Sequence, residues 1–150
     1  MIDITCPTEA DTRAVARKLA ASVRPGDVMV LAGGLGVGKT LFASGLAAGL
    51  GVEETVVSPS FVLVREYRSG FLPMVHVDVY RLSSFNEFDD LNVFELARDG
   101  ILVIEWGDAV ESAIIEDHLR IDFLVSDDGT RTLRFHPTGN WGERDLEGLR

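Results

Sequence analysis

The chain has only one cysteine and no long hydrophobic run, and both shortages exclude classes of protein. Cys6 is the only cysteine, so no intramolecular disulfide can form and no Cys/His cluster remains for a zinc site. The longest apolar runs fall far short of the roughly 20 residues that span a bilayer. No basic segment followed by an apolar one marks a signal peptide at the N-terminus. We therefore expect a cytoplasmic protein without membrane contact.

Basic residues are also scarce, since 14 lysines and arginines stand against 24 aspartates and glutamates, which gives a formal net charge of −10. Such a surface repels the phosphate backbone of nucleic acids and anionic membranes. The remaining composition fits one folded domain, because 150 residues with a hydrophobic fraction of 46% can fill one core. We predict a single domain over residues 1–150 that does not bind free nucleic acid.

Hydrophobic patterning predicts alternating strands and helices. An amphipathic helix is predicted over residues 8–23, with Thr8 and Asp11 as its capping box. Continuous apolar runs at 28–32 and 101–104 are typical of strands that are covered on both faces. Two more helices are predicted over 40–50 and 83–98. Two pairs of strands are predicted as well, one over 61–67 and 73–80 and the other over 118–125 and 131–136. This order predicts a three-layer α/β domain with a mixed central sheet.

Residues 33–40 read Gly-Gly-Leu-Gly-Val-Gly-Lys-Thr and match the phosphate-binding loop motif G-x-x-x-x-G-K-[ST]. A chain of this length and composition would contain about 0.002 such matches by chance. The loop follows a predicted buried strand and opens a predicted helix, where converging N–H groups and the helix dipole favour an anion. The fold is therefore predicted to be P-loop NTPase-like. The predicted nucleotide-binding residues of the loop are Gly33, Gly34, Leu35, Gly36, Val37, Gly38, Lys39 and Thr40.

Two residues of this loop carry side-chain chemistry. Lys39, one of two lysines in the chain, would reach the β- and γ-phosphates, and the Thr40 hydroxyl would hold Mg²⁺. The alternative interpretation is a glycine-rich turn between a strand and a helix, with a lysine on the surface. The motif predicts a bound nucleotide and Mg²⁺, and we expect the nucleotide to be ATP or ADP because the chain lacks the N-K-x-D string that recognises guanine.

Acidic residues end two of the predicted strands. Asp78 ends Met-Val-His-Val-Asp and Glu105 ends Ile-Leu-Val-Ile-Glu, and Glu105 fits better the Walker B pattern of four apolar residues followed by an acid. In α/β sheets, ligand-binding groups lie at the carboxyl ends of strands. Either carboxylate could instead cap a neighbouring helix or pair with an arginine such as Arg81. His76 alternates with apolar neighbours and is interpreted as a strand histidine outside the site.

Four segments, in this order and at close spacing, resemble the TsaE (YjeE) family of bacterial P-loop ATPases. They are residues 33–40, Ser-Pro-Ser-Phe at 58–61, His-Val-Asp-Val-Tyr-Arg-Leu at 76–82 and Ile-Glu-Trp at 104–106. The resemblance implies a weak ATPase that supports synthesis of threonylcarbamoyladenosine in tRNA together with the TsaB–TsaD heterodimer. Contact with tRNA would then be indirect, through the complex. The chain departs from the family pattern at Gly34, Ser60 and Gly107.

The resemblance also implies roles for single residues. Thr40 and Glu105 would ligate Mg²⁺, Asp78 would be an additional metal-proximal or catalytic acid, and Trp106 would form a wall of the site. Ser60 would belong to a switch-like segment over 58–61. Near the adenine end of the nucleotide the resemblance implies Thr8, Glu9 and Arg131. The residues predicted to take part in catalysis are Lys39, Asp78 and Glu105.

Two other functions stay open from the sequence. A small kinase would usually need an arginine-rich lid, but the predicted helix over 83–98 is acidic. A GTPase would usually carry an N-K-x-D string, which this chain lacks. The second alternative is a nucleotide-gated binding module whose turnover is incidental, and the rate of ATP hydrolysis with and without the partner proteins would separate it from the leading interpretation.

Overall fold

Strands and helices alternate along the chain in the computed structural model, which describes residues 1–34, 36–59, 63–80, 82, 84–106, 110–114 and 117–150. Within these residues the strands are β1 (Ile2–Cys6), β2 (Val28–Ala32), β3 (Val64–Tyr67), β4 (Met74–Asp78), β5 (Ile101–Glu105), β6 (Leu119–Val125) and β7 (Arg131–Pro137). The α-helices described are α1 (Glu9–Leu19), α2 (Lys39–Gly49), α3 (Phe85–Asp90) and α4 (Val93–Leu96). Short 3₁₀-helices lie at Ala20–Ser22, Glu111–Ala113, Gly139–Glu143 and Glu147–Leu149.

The strands form one sheet in the order β1-β7-β6-β2-β5-β4-β3. The central strands β6, β2, β5 and β4 are parallel neighbours, whereas β7 and β1 at one edge and β3 at the other pair in antiparallel fashion. Every residue of β2, β4 and β5 is buried, as expected of parallel strands that are covered on both faces. The apolar runs at 28–32 and 101–104 are thus confirmed as central strands, and the mixed sheet is confirmed.

Helices cover both faces of the sheet and give the fold three layers. Successive residues of a strand point to opposite faces. Leu31 of β2 therefore shares a buried cluster with Phe42 of α2, whereas Val30 shares another with Phe88 of α3. The first cluster also contains α1, and the second contains α4. The predicted three-layer α/β fold is confirmed.

The second face carries two short helices where the sequence predicted one helix over 83–98. Helix α3 ends at Asp90, and Asn92 adopts a left-handed conformation with φ of +55° before α4 begins. Asparagine tolerates this conformation because its short polar side chain can bond locally. The prediction of one continuous helix is wrong, and residue 83 lies outside the described residues. No helix in the described part of the chain combines the length and the apolar character that crossing a membrane requires.

The other predicted elements are present with shifted bounds. The helix over 40–50 is α2, and Gly51 follows it with φ of +83°. Residues 61 and 62, predicted to open a strand, lie outside the described residues. The strands predicted over 61–67, 73–80, 118–125 and 131–136 correspond to β3, β4, β6 and β7.

Helix α1 begins at the capping box that the sequence predicted. The Asp11 N–H donates to Thr8 Oγ1 at 3.2 Å, and the Thr8 N–H donates to Asp11 Oδ2 at 2.9 Å. The helix ends at Leu19 and continues as the 3₁₀-helix Ala20–Ser22, so its α-helical part is shorter than predicted. Since α1 packs against α2, this cap helps to hold the helical layer that covers the first face.

Replacing Thr8 by alanine should lower the free energy of unfolding by about 1 kcal/mol, because the first turn of α1 loses its side-chain cap. The measurement is urea unfolding of the variant and the wild type. Thr55→Ala, at an exposed threonine outside helices and strands, serves as the control. Equal stability of Thr8→Ala and the wild type would contradict a stabilising cap.

Candidate functional site

The loop between β2 and α2 depends on glycine for its shape. Gly33, Gly36 and Gly38 have φ of +149°, +72° and +105°, a region that residues with a side chain rarely adopt. A Cβ atom on Gly33 would also lie 2.9 Å from Cγ2 of Val37 and 3.1 Å from the carbonyl oxygen of Phe123. The loop can therefore bend tightly above the sheet only with glycine at these positions.

Helix α2 starts directly at the end of this loop, with Gly38 as its N-cap. The first four N–H groups of an α-helix have no partner within the helix, and the helix dipole adds partial positive charge there. No acidic residue lies in the first turn of α2. The loop and the helix start thus have the geometry and the charge of an anion site.

Lys39 is buried beside the loop, and only 5% of the residue is exposed. Its Nζ donates to the carbonyl oxygen of Gly33 at 2.8 Å and lies 3.2 Å from the centroid of the Trp106 ring. An ammonium group in this position contributes a full positive charge to the loop. The alternative of a lysine on the surface is therefore wrong.

Glu105 joins the loop side chains to the sheet. It ends β5, and its backbone pairs with Leu31 of β2, the strand that leads into the loop. The Thr40 hydroxyl donates toward both carboxylate oxygens, at 3.1 Å from Oε1 and 3.0 Å from Oε2. The hydroxyl and the carboxylate that were predicted to share a metal are thus in direct contact.

Asp78 lies next to Glu105 at the carboxyl edge of the sheet, because β4 and β5 pair Asp78 with Glu105. Both carboxylates are almost fully buried. Oδ1 of Asp78 accepts a hydrogen bond from the N–H of Tyr80 at 2.8 Å. Among the described residues, no group of three or more His, Cys, Asp or Glu could hold a metal ion by itself.

His76 belongs to this cluster, although the sequence interpretation left it outside the site. Its ring is fully buried, and Nε2 lies 2.5 Å from Oε2 of Glu105. The signal in the sequence was its position two residues before Asp78, since residues at this spacing on a strand share a face.

Trp106 forms a wall of the site, and its backbone has a left-handed φ of +62°. For a bulky residue this conformation is strained, and such strain is concentrated at functional sites. The ring packs against Tyr80 with 4.7 Å between centroids, on one side of Lys39. The indole thus lies between the ring of Tyr80 and the ammonium group of the loop lysine.

Arg131 reaches the loop from β7 on the opposite side. Its Nε donates to the carbonyl oxygen of Val37 at 2.9 Å. Two other residues, Glu9 and Thr8, were predicted to lie with Arg131 near the adenine. Glu9 borders the cavity that Arg131 and the loop also line, whereas the Thr8 hydroxyl takes part in the cap of α1. Leu35 and Ser60, which were also predicted to bind the nucleotide, lie outside the described residues.

These groups surround a cavity of about 330 Å³ at the carboxyl ends of the central strands. This is the edge at which ligands bind in open α/β sheets. The residues around the cavity come from the loop, from α1, from the first turn of α2, from the segment before β3 and from the ends of β4, β5 and β7. They are Glu9, Gly36, Val37, Gly38, Lys39, Thr40, Leu41, Ser58, Asp78, Glu105, Trp106 and Arg131.

Glu111, in the 3₁₀-helix Glu111–Ala113, contacts two side chains in and directly before β6. Glu111 contacts Nε2 of His118 at 2.9 Å and accepts from Arg120 at 2.6 Å. Burial raises the pKa of the Glu111 carboxyl, but the bonds and charges of His118 and Arg120 outweigh burial and leave its pKa below the usual value. A lowered folded pKa means that this stabilisation is present at neutral pH and is lost as the pH falls through that pKa.

The donor set fits a polyphosphate and Mg²⁺. Mg²⁺ prefers hard oxygen ligands and is usually held by one or two carboxylates together with phosphate oxygens and water. The Thr40 hydroxyl and the carboxylates of Asp78 and Glu105 offer such oxygens beside the helix start. The glycine loop offers N–H groups and Lys39 a cation, the donors that a polyphosphate would need.

Comparison with known proteins finds relatives both by sequence and by structure. A family model described as threonylcarbamoyl adenosine biosynthesis protein TsaE matches residues 6–133. The tRNA threonylcarbamoyladenosine biosynthesis protein TsaE of Bacillus subtilis is 39% identical over 140 residues, or 93% of this chain and 87% of the relative. The protein of the same name in Streptomyces coelicolor is 39% identical over 145 residues, which cover 91% of this chain and 98% of the relative. The crystal structure of Bacillus subtilis YdiB is similar with a TM-score of 0.81 and 33% identity, covering 99% of this chain and 93% of that one.

Proposed function

The chain belongs to the TsaE family of threonylcarbamoyladenosine biosynthesis, and we propose that it binds ATP with Mg²⁺ and hydrolyses it within that pathway. Its partner would be the TsaB–TsaD heterodimer, which transfers the threonylcarbamoyl group to tRNA. The observation that carries the proposal is the contact between Thr40 and Glu105 beside the glycine loop. It brings together a loop hydroxyl and a strand-end carboxylate from positions 65 residues apart in the chain.

The loop would bind the triphosphate through backbone N–H groups at the start of α2. Lys39 would donate to the β- and γ-phosphate oxygens in place of the carbonyl oxygen of Gly33. Because Lys39 is already buried in the loop, little side-chain freedom is lost when it changes partner.

Thr40 and Glu105 would hold the metal at the γ-phosphate end of the cavity, with Asp78 close to it. Bound Mg²⁺ would neutralise charge on the transferring phosphoryl group. Asp78 and Glu105 are adjacent in the sheet, so the carboxylate that does not touch the metal can accept a hydrogen bond from the attacking water. The net charge of −10 agrees with indirect contact to tRNA, through the partner proteins.

The test is the rate of ATP hydrolysis by the chain alone and with TsaB–TsaD. We expect slow hydrolysis alone, faster hydrolysis in the complex, and weaker binding of GTP, because the chain has no N-K-x-D guanine reader. Binding of ATP without turnover in either setting would favour a nucleotide-gated binding module. GTP binding as tight as ATP binding would contradict the assignment of ATP.

A further inference from the structure

His76 is a buried polar residue on an apolar part of the sheet. It shares a face of β4 with Met74, whose side chain belongs to the cluster beneath α1 and α2. Nδ1 of His76 has no hydrogen-bond partner among the described residues, and only Nε2 is paired, with Glu105. Leaving a buried polar atom unpaired costs folding free energy. An apolar residue of similar size would avoid this cost, so core packing alone does not explain histidine at this position.

His76 reaches the Glu105 carboxylate from the neighbouring strand β4. Asp78 pairs with Glu105 across β4 and β5, so His76, two residues earlier, lies below the carboxylate on the same face. Thr40 bonds the carboxylate from α2, and His76 bonds Oε2 from β4. The orientation of the carboxylate is thus defined by two elements of the fold.

We propose that His76 is a positioning residue for Glu105. With Nε2 protonated, the ring donates to Oε2 and holds the carboxylate plane so that its remaining lone pairs face the Thr40 hydroxyl and the loop. This inference rests on the proposed function, in which Glu105 is a metal ligand. Outer partners that orient a ligand typically contribute about 10- to 100-fold in metal affinity or activity.

Two variants separate positioning from core filling. His76→Leu fills most of the ring volume without a donor, whereas His76→Gln keeps an N–H group near the position of Nε2. Met74→Leu, a volume-conserving change on the same strand and face, is the packing control. Thermal unfolding of each variant reports whether it folds.

The first readout is ADP affinity by calorimetry, with Mg²⁺ and with EDTA. His76→Leu should reduce the gain in affinity that Mg²⁺ provides by about 10-fold or more and leave affinity in EDTA unchanged. His76→Gln and Met74→Leu should keep the wild-type gain. If Mg²⁺ raises the ADP affinity of His76→Leu as much as that of the wild type, His76 is not a positioning residue. The same holds if His76→Gln loses as much of this gain as His76→Leu does. Either result would leave the proposed function intact. If the wild type itself gains nothing from Mg²⁺, the proposed function fails and this inference fails with it.

The second readout needs neither nucleotide nor metal. The chain has three histidines, so selective ¹⁵N labelling of histidine gives three imidazole spin systems, and the one lost in His76→Gln belongs to His76. We expect Glu105→Gln to shift the Nε2 signal of His76, whereas Glu53→Gln, at an exposed glutamate, should not. An unchanged His76 signal in Glu105→Gln would overturn the proposal, and this result decides the matter if His76→Leu does not fold.

Discussion

Glu105→Gln is expected to slow ATP hydrolysis by about 100-fold or more, while ATP affinity falls far less. Glutamine keeps the shape of the side chain and one oxygen that can accept from the Thr40 hydroxyl, but it removes the negative charge. In the proposed function this charge helps to fix the metal that neutralises the phosphoryl group. That contribution is larger in the transition state than in the ground state, so kcat should fall more than KM changes.

The experiment must separate lost catalysis from lost folding, because Glu105 also bonds His76 inside the sheet. We would measure kcat and the melting temperature together for Glu105→Gln, with Glu53→Gln as an exposed control for the change in charge. A folded Glu105→Gln with wild-type kcat would remove Glu105 from the reaction. A lower melting temperature with normal turnover per folded molecule would make its role structural.

The parts of the fold that the sequence predicted well are those set by local pattern and burial. The runs at 28–32 and 101–104 are uniformly apolar because β2 and β5 are parallel strands with helices on both faces. The glycine loop is equally local, since its positive φ angles and its lysine lie within eight consecutive residues. An acid at the end of an apolar strand was enough to mark Glu105.

Contacts that depend on strand order were not predictable from one sequence. The His76–Glu105 contact requires β4 to lie beside β5 in one register, and the residues are 29 positions apart. Arg144 pairs with Asp27 across 117 residues, at 2.6 Å, in a buried ion pair that no local pattern indicates. The break at the left-handed Asn92 was not predicted either. The acidic, amphipathic pattern continues through it, so the sequence indicated one helix.

Arg131 is an intermediate case. The resemblance to a family pointed to it, although nothing local in the hairpin distinguishes it from other strand arginines. The structure brings it to the loop because β7 follows β6, which lies beside β2 in the sheet. The strand order β7-β6-β2-β5-β4 thus brings the site residues together, and the motif residues alone define only the glycine loop and the start of α2.

Lys39→Ala is expected to weaken ATP binding by roughly 10- to 100-fold, or about 1.5–3 kcal/mol, because one charge-assisted contact with the phosphates is lost. The measurement is titration with ATP by calorimetry. The chain offers a close control, since Lys18 is the only other lysine and is exposed on α1. Lys18→Ala changes the net charge equally, so its ATP affinity should stay near that of the wild type.

The structure adds a condition to this prediction. Truncation of Lys39 leaves the carbonyl oxygen of Gly33 without its donor and removes the cation beside the Trp106 ring. Both losses destabilise the loop before any nucleotide arrives, so the melting temperature of the free protein should fall as well. If the affinities for ATP and ADP fall by the same factor in Lys39→Ala, the lysine acts mainly on the shape of the loop. A direct contact with the γ-phosphate instead requires that ATP loses more affinity than ADP, and unchanged affinity for both would make the loop purely structural.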